Sequence, residues 1–149
     1  MAKIHATSRL GDYFVAFRLA TREQLTKVSK GQSATQLLGQ ALVQAGVCDR
    51  VVCEKVAFIQ KQIRKTAPKL KEQGVTAVLD EKSFIGDILV AIGYITPAQK
   101  QEWLDYQDQK RARGENPGRL GELLVDKNVC TAEQRDLGMQ VQNWLRGVN

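Results

Sequence analysis

A short pattern is written four times along this chain. It opens with an apolar residue and glycine, continues with an apolar doublet, and closes on glutamine at one fixed offset. The blocks run from Ser8, Arg9, Leu10 and Gly11 to Gln32, and from Leu37, Leu38 and Gly39 to Gln60. They continue from Phe84, Ile85 and Gly86 to Gln107, and from Arg119, Leu120 and Gly121 to Gln142. Such self-similarity marks a supersecondary unit that cannot bury its apolar face alone and must stack on its neighbours. A polar residue recurring in register implies a recurring contact.

Each block reads as two helices. In the first, Leu10, Phe14 and Phe17 recur at helical spacing, widened by Tyr13 and Val15, which predicts a helix of roughly nine residues. Thr21 to Gln24 then has the form of a capping box, repeated as Thr96 to Gln99 and Thr131 to Gln134. The hydroxyl accepts from the third helical amide and the glutamine reaches back to the cap. Pro97 suits a first helical position. The second block offers Asp49 as its cap. Gly46 and Gly93 suit a left-handed stop before these caps; the equivalent Arg18 and Asn128 suit it less. The second helix of a block is predicted to run about eleven residues or more.

The blocks pair. Ser33 to Gln36 separates the first two, and the loop Asp108 to Gly118 separates the last two. The expected fold is all-α: two tandem four-helix modules over residues 1–62 and 83–149, joined by a basic, partly helical connector over 63–82 that carries Pro68 and Gly74. Val75 to Leu79 is the one weak strand candidate.

The formal charge of +6 favours anionic partners over a merely solvated surface only at even odds. Three cysteines with no C-x-x-C spacing, and a single histidine, argue against a disulfide framework or a structural zinc. Cys48 and Cys130 share a block position and read as small buried apolar residues. His5 receives no role. With no apolar run of membrane length and no leader-type h-region, the expectation is a cytoplasmic protein without membrane insertion. Nothing resembles a P-loop, a triad, paired catalytic carboxylates or a metal site, so no enzyme activity is expected.

Arg-Leu-Gly, two aliphatics, a turn glycine, spaced leucines and a closing glutamine, written in tandem, resemble the MshEN domain. This domain stands at the N-terminus of type II secretion and type IV pilus assembly ATPases and binds cyclic di-GMP. The resemblance covers nearly the whole chain as two partly degenerate copies. It implies a non-enzymatic cyclic di-GMP receptor or adaptor that signals to a protein partner, such as a pilus or secretion ATPase or a signalling protein. Carried over by position, the ligand set is Arg9, Leu10, Gly11, Asp12, Leu25, Gln32, Leu38, Gly39, Leu42 and Gln60. A second candidate site comprises Ile85, Gly86, Leu104, Gln107, Arg119, Leu120, Gly121 and Gln142. No cofactor or metal is implied. Glycine admits close backbone approach, helix N-termini favour phosphate, and arginine offers a planar fork.

Each feature has a plainer reading. The leucines serve equally as core, and Asp12 and Asp87 as acids at helix starts. Trp103 and Trp144 read as packing residues. Lys110, Arg111, Arg113 and Arg119 form a basic loop that would hold phosphate or lie solvated. Where the family places leucines on the second helices, this chain has Ser29, Cys53, Ala57, Lys100, Arg135 and Met139. The first linker is one residue shorter than usual and the last much longer. These substitutions shrink or charge the apolar wall, and they favour an alternative function: a ligand-free docking module for a pilus, secretion or signalling component. Nucleic acid is disfavoured, because no stacking aromatics accompany the charges.

Overall fold

Every repeat resolves into two helices joined by one turn geometry. The computed structural model describes residues 2–32 and 37–148; the Ser33 to Gln36 linker lies outside them. Among the described residues there are eight helices. They are α1 (Leu10–Ala16), α2 (Arg22–Gly31), α3 (Leu38–Gln44), α4 (Arg50–Glu72), α5 (Ile85–Ile92), α6 (Pro97–Ala112), α7 (Leu120–Asp126) and α8 (Ala132–Arg146). The fold is all-α.

The second helices start as the sequence requires. The hydroxyls of Thr21, Thr96 and Thr131 each accept from the glutamine amide three residues on, at 3.1 Å. The glutamine oxygens accept in return from the threonine N–H at 2.9, 2.9 and 3.0 Å. Asp49 caps α4 without a side-chain bond. The first helices use a half-box: Asp12, Gln40 and Asp87 accept from the N–H of Arg9, Leu37 and Phe84 at 2.8, 3.2 and 3.2 Å.

The turn is the same four times. Arg18, Gly46, Gly93 and Asn128 all adopt positive φ, at 60°, 73°, 92° and 59°. The following residue, Leu19, Val47, Tyr94 or Val129, sends its N–H back five residues to the first helix. These are the bonds of a left-handed helix stop. Arg18 and Asn128 adopt it although a side chain costs about 1–2 kcal/mol there. Arg18 is held by Glu81 at 3.1 Å.

Packing order also recurs. In the first half α1 packs on α4, α2 on α3, and α3 on α4; in the second α5 packs on α8, α6 on α7, and α7 on α8. The halves do not keep separate cores. Phe14, Phe17, Val56, Ile59 and Ile63 join Ile88, Ile92, Val141, Trp144 and Leu145 in one buried cluster. Phe17 lies against Trp144 with ring centroids 5.2 Å apart. A smaller cluster around Leu89, Leu120, Leu124 and Cys130 sits beneath α5 and α7, and Trp103 packs against it.

Helix α4 continues through the first ten residues of the expected connector. It holds Ile63 and Leu70 in the interior and passes Pro68 on its exposed side. Helix α6 likewise runs to Ala112, so the loop between the last two blocks is shorter than expected. In place of a strand, Leu79 makes one antiparallel bridge to Ile4, with reciprocal bonds of 2.8 and 2.9 Å. Ile4 and Leu79 occupy the same register position ahead of Gly11 and Gly86. A residue paired antiparallel with its own counterpart relates the two halves by a local twofold.

One expectation is overturned. Cys48 and Cys53 form a disulfide, with Cα atoms 6.6 Å apart. Cys48 precedes the Asp49 cap and Cys53 is the fourth helical residue, positions that touch in a hydrophobic staple. Reading Cys48 only as a small apolar residue missed that its staple partner is also a cysteine. Cys130 is buried and free, and burial pushes its thiol up.

Two equivalent clefts as candidate functional sites

The recurring glutamine contact is internal. Gln60 donates from its side-chain amide to the Ser8 carbonyl at 3.2 Å, Gln142 to the Ser83 carbonyl at 3.3 Å, and Gln107 to the Gly118 carbonyl at 2.9 Å. In each case the acceptor lies two residues before the first helix of the sister block. The closing glutamine thus fastens the chain leading into its partner repeat. Gln107 is 4% exposed, and burying its amide without a partner would cost about 1–3 kcal/mol. Gln32 is the C-cap of α2. The serines had no role in the sequence reading. Ser8 and Ser83 each turn the chain with a hydroxyl that accepts from the N–H three residues earlier, at 2.9 and 3.0 Å.

Each half presents a cleft beside these fastenings. The first, about 670 Å³, lies between the start of α1 and the α3–α4 hairpin. Leu10, Leu37, Gly39, Val43, Cys53 and Ala57 form its apolar lining, and Gln40, Gln44, Arg50 and Glu54 its polar edge. The second, about 360 Å³, lies between the start of α5 and the α7–α8 hairpin and is lined by Ile85, Arg119, Leu120, Gly121, Arg135 and Met139, with Gln142 at its margin. The two match in register. Leu10 corresponds to Ile85, Leu37 to Arg119, Gly39 to Gly121, Cys53 to Arg135, Glu54 to Asp136 and Ala57 to Met139.

The fourth residue of each second helix decides how open its cleft is. It lies over the glycine of its own block. A Cβ on Gly11 would meet Leu25 at 3.3 Å, one on Gly86 would meet Lys100 at 3.0 Å, and one on Gly121 would meet Arg135 at 3.3 Å. At Gly39 the equivalent residue is Cys53, short and bonded to Cys48, and among the described residues a Cβ on Gly39 meets nothing within 4 Å. The first cleft therefore has an uncovered backbone floor at the N-terminal turn of α3. In the second, Arg135 crosses the floor and pairs with Asp136 at 3.0 Å.

Of the residues expected at a first site, Leu10 and Gly39 line the cleft, Leu38 sits half-buried behind them, and Arg9 is exposed at the cap of α1. Leu25 and Leu42 point into the core, at 8% and 0% exposure. Gly11 is roofed by Leu25. Asp12 accepts from Arg22 at 2.7 Å and from the Arg9 N–H, and the Arg22 guanidinium holds its carboxyl below the usual range. It acts as a helix-start acid, as does Asp87, which Lys100 binds at 2.9 Å. In the second half Ile85, Arg119, Leu120, Gly121 and Gln142 converge, whereas Gly86, Leu104 and Gln107 lie away from the opening. Within the basic loop Lys110 pairs with Glu115 at 2.9 Å and Arg111 with Asp108 at 3.5 Å. The sequence reading missed Val43, Gln44, Arg50 and Glu54. Their signal was the helical spacing of α3 and α4 facing Leu10.

Among the described residues no cluster of His, Cys, Asp and Glu could hold a metal, and no helix is long and apolar enough to cross a membrane. No family model, curated protein or solved structure matches this chain.

Proposed function

We propose that the protein is a non-enzymatic receptor for cyclic di-GMP, seated in the first cleft, and that it passes ligand occupancy to a protein partner. One observation carries this reading: an apolar cleft floored by bare backbone at Gly39, open at a helix N-terminus and edged by an arginine. Flat bases gain from the walls of Leu10, Leu37, Val43 and Ala57. Phosphate gains from the helix N-terminus at the start of α3 and from Arg50 at the rim. Arg50 is loosely engaged, 3.2 Å from Glu54 with both side chains exposed, so recruiting it costs little. Ligand bound between α1 and the α3–α4 hairpin would fix their relative pose, which a partner reads as a shift in population.

Calorimetric titration with cyclic di-GMP tests it. One site per chain is expected, with a melting shift that grows with ligand; at a hundredfold excess over Kd, stabilisation is about 2.7 kcal/mol. No heat and no melting shift would refute the receptor reading.

A second reading rests on a separate observation. Leu37 and Phe84 stand 70% and 71% exposed at helix starts where the other blocks carry Arg9 and Arg119. Apolar residues there suit a docking module for a pilus, secretion or signalling component without a nucleotide.

A further inference from the structure

We propose that a second groove, on the opposite half of α4 from the cleft, binds an extended acidic segment of a partner protein whose alternate residues are apolar. The groove holds about 590 Å³ between the C-terminal half of α4, the lead-in His5 to Thr7, and the non-helical run 75–78. Its walls are Ala67, Pro68, Val75, Ala77 and Val78, and Arg64 and Lys71 stand at its edge.

Charge defines the occupant. Between Lys55 and Lys71 the chain carries six cations, Lys55, Lys61, Arg64, Lys65, Lys69 and Lys71, and no acid; the next is Glu72. Those six equal the whole net charge of +6, since the other sixteen Lys and Arg match the sixteen Asp and Glu. Elsewhere seven arginines and lysines find acids, and among the described residues none of these six enters a salt bridge. Arg64 alone is anchored, donating to the Ser8 carbonyl at 3.0 Å, and its remaining charge stays uncompensated. A cationic helix face next to an apolar furrow complements a chain with acids on one side and aliphatic residues on the other.

The backbone argues for an extended partner. Residues 75–78 lie outside any helix and turn where the Val78 N–H donates to the Thr76 carbonyl at 3.1 Å; the N–H groups of Thr76 and Ala77 donate to no group among the described residues, and one of them can face an added segment. Added strands use such groups, while alternate side chains settle into pockets. From Lys61 to Lys71 the helix rises about 15 Å, the length of some five extended residues. No Phe, Tyr or Trp lines the groove, and His5 is its one aromatic ring, so single-stranded nucleic acid would lack a run of stacking surfaces for successive bases. This groove is distinct from the cleft, and its occupancy does not depend on a nucleotide there.

The test uses the full chain and a fluorescein-labelled peptide of about eight residues alternating glutamate and valine, a length set by the reach of an extended strand. Binding followed by anisotropy should weaken roughly tenfold or more when salt rises from about 50 to 300 mM. It should weaken similarly in Lys61→Glu/Lys65→Glu/Lys71→Glu, whose exposed positions leave melting unchanged. A peptide with serine for valine should bind markedly less well. On the unmodified protein, bound peptide should slow acetylation of Lys61, Lys65 and Lys71 but not of Lys110 or Lys127, which needs no variant to fold. Absence of binding overturns the proposal. So does equal affinity for the serine peptide, or tighter binding of an oligothymidylate of equal length, or lysine protection located elsewhere.

Discussion

The two halves repeat one backbone and treat matched glycines differently, Gly39 against Gly121 and Gly46 against Gly93. In the first half Gly39 and Gly46 face open space. In the second, a Cβ on Gly93 would meet the Thr66 hydroxyl at 2.6 Å, one on Gly138 would meet Leu89 at 2.7 Å, and one on Gly121 would meet Arg135 at 3.3 Å. The same helical hairpin thus serves as a tight packing element at one end and leaves a cleft at the other. Two side chains per cleft make the difference, Cys53 and Ala57 against Arg135 and Met139. Repetition sets where a cleft can form, and local substitution sets whether it is empty.

The contrast breaks most visibly at the turns. Gly93→Ala must place a Cβ at φ 92° against Thr66, and chemical denaturation should show a loss of roughly 2–4 kcal/mol from left-handed strain plus overpacking. Gly46→Ala, at φ 73° with free space, should lose only about 1 kcal/mol. Equal losses would mean the halves are packed alike. Gly39→Leu fills the open floor, where a Cβ meets nothing within 4 Å among the described residues. Cyclic di-GMP affinity should fall roughly hundredfold while melting holds or rises, because leucine suits a helix better than glycine by about 0.8 kcal/mol. A collapse in melting would show that the floor is not open.

The converse change sharpens the comparison. Arg135→Ala/Met139→Ala gives the second cleft the small residues of the first, and titration should then report two ligands per chain where the parent binds one. Tyr13 offers a smaller effect. Its hydroxyl is buried without a partner among the described residues, and burial pushes its pKa up to about 12. Tyr13→Phe should leave stability unchanged or raise it by up to about 1 kcal/mol. Smallest is the acid dependence of the Asp12–Arg22 pair. The folded pKa of Asp12 is depressed, so its contribution is present above about pH 3.8, the ordinary carboxylate value, and fades as pH falls through the lower folded value. With Arg22 66% exposed, the effect is below about 1 kcal/mol, and Arg22→Ala should flatten the melting curve against pH in that acid range.

Much of this was legible beforehand because it is local. Three threonine caps and their glutamines follow from short-range hydrogen bonding, and so do the helix starts they set. The turn residues were placed correctly, though Arg18 looked unsuited; its companion Glu81, sixty-three residues away, has no sequence signature. The glutamines declared a shared role without its partner, since each acceptor is a carbonyl in another block. Pro68 suggested a connector, yet α4 runs past it because Ile63 and Leu70 gain more from burial than one missing backbone bond costs. The Cys48–Cys53 bond has no echo in the repeat: Cys130 matches Cys48, but Arg135 stands at the position of Cys53. Half of the expected ligand leucines proved to be core residues: spacing places a side chain on a helix, but only tertiary contact decides which way that face turns.

The shared interior has a consequence for how the chain comes apart. With Phe17 on Trp144 and α5 packed on both α4 and α8, the larger buried cluster is opened in both halves when they part, and the second keeps only the smaller one. Heating should therefore give a single calorimetric endotherm. A chain cut in the segment after Gly74 should yield pieces that are unstructured alone yet assemble when mixed, so that the portable unit of this architecture is the pair.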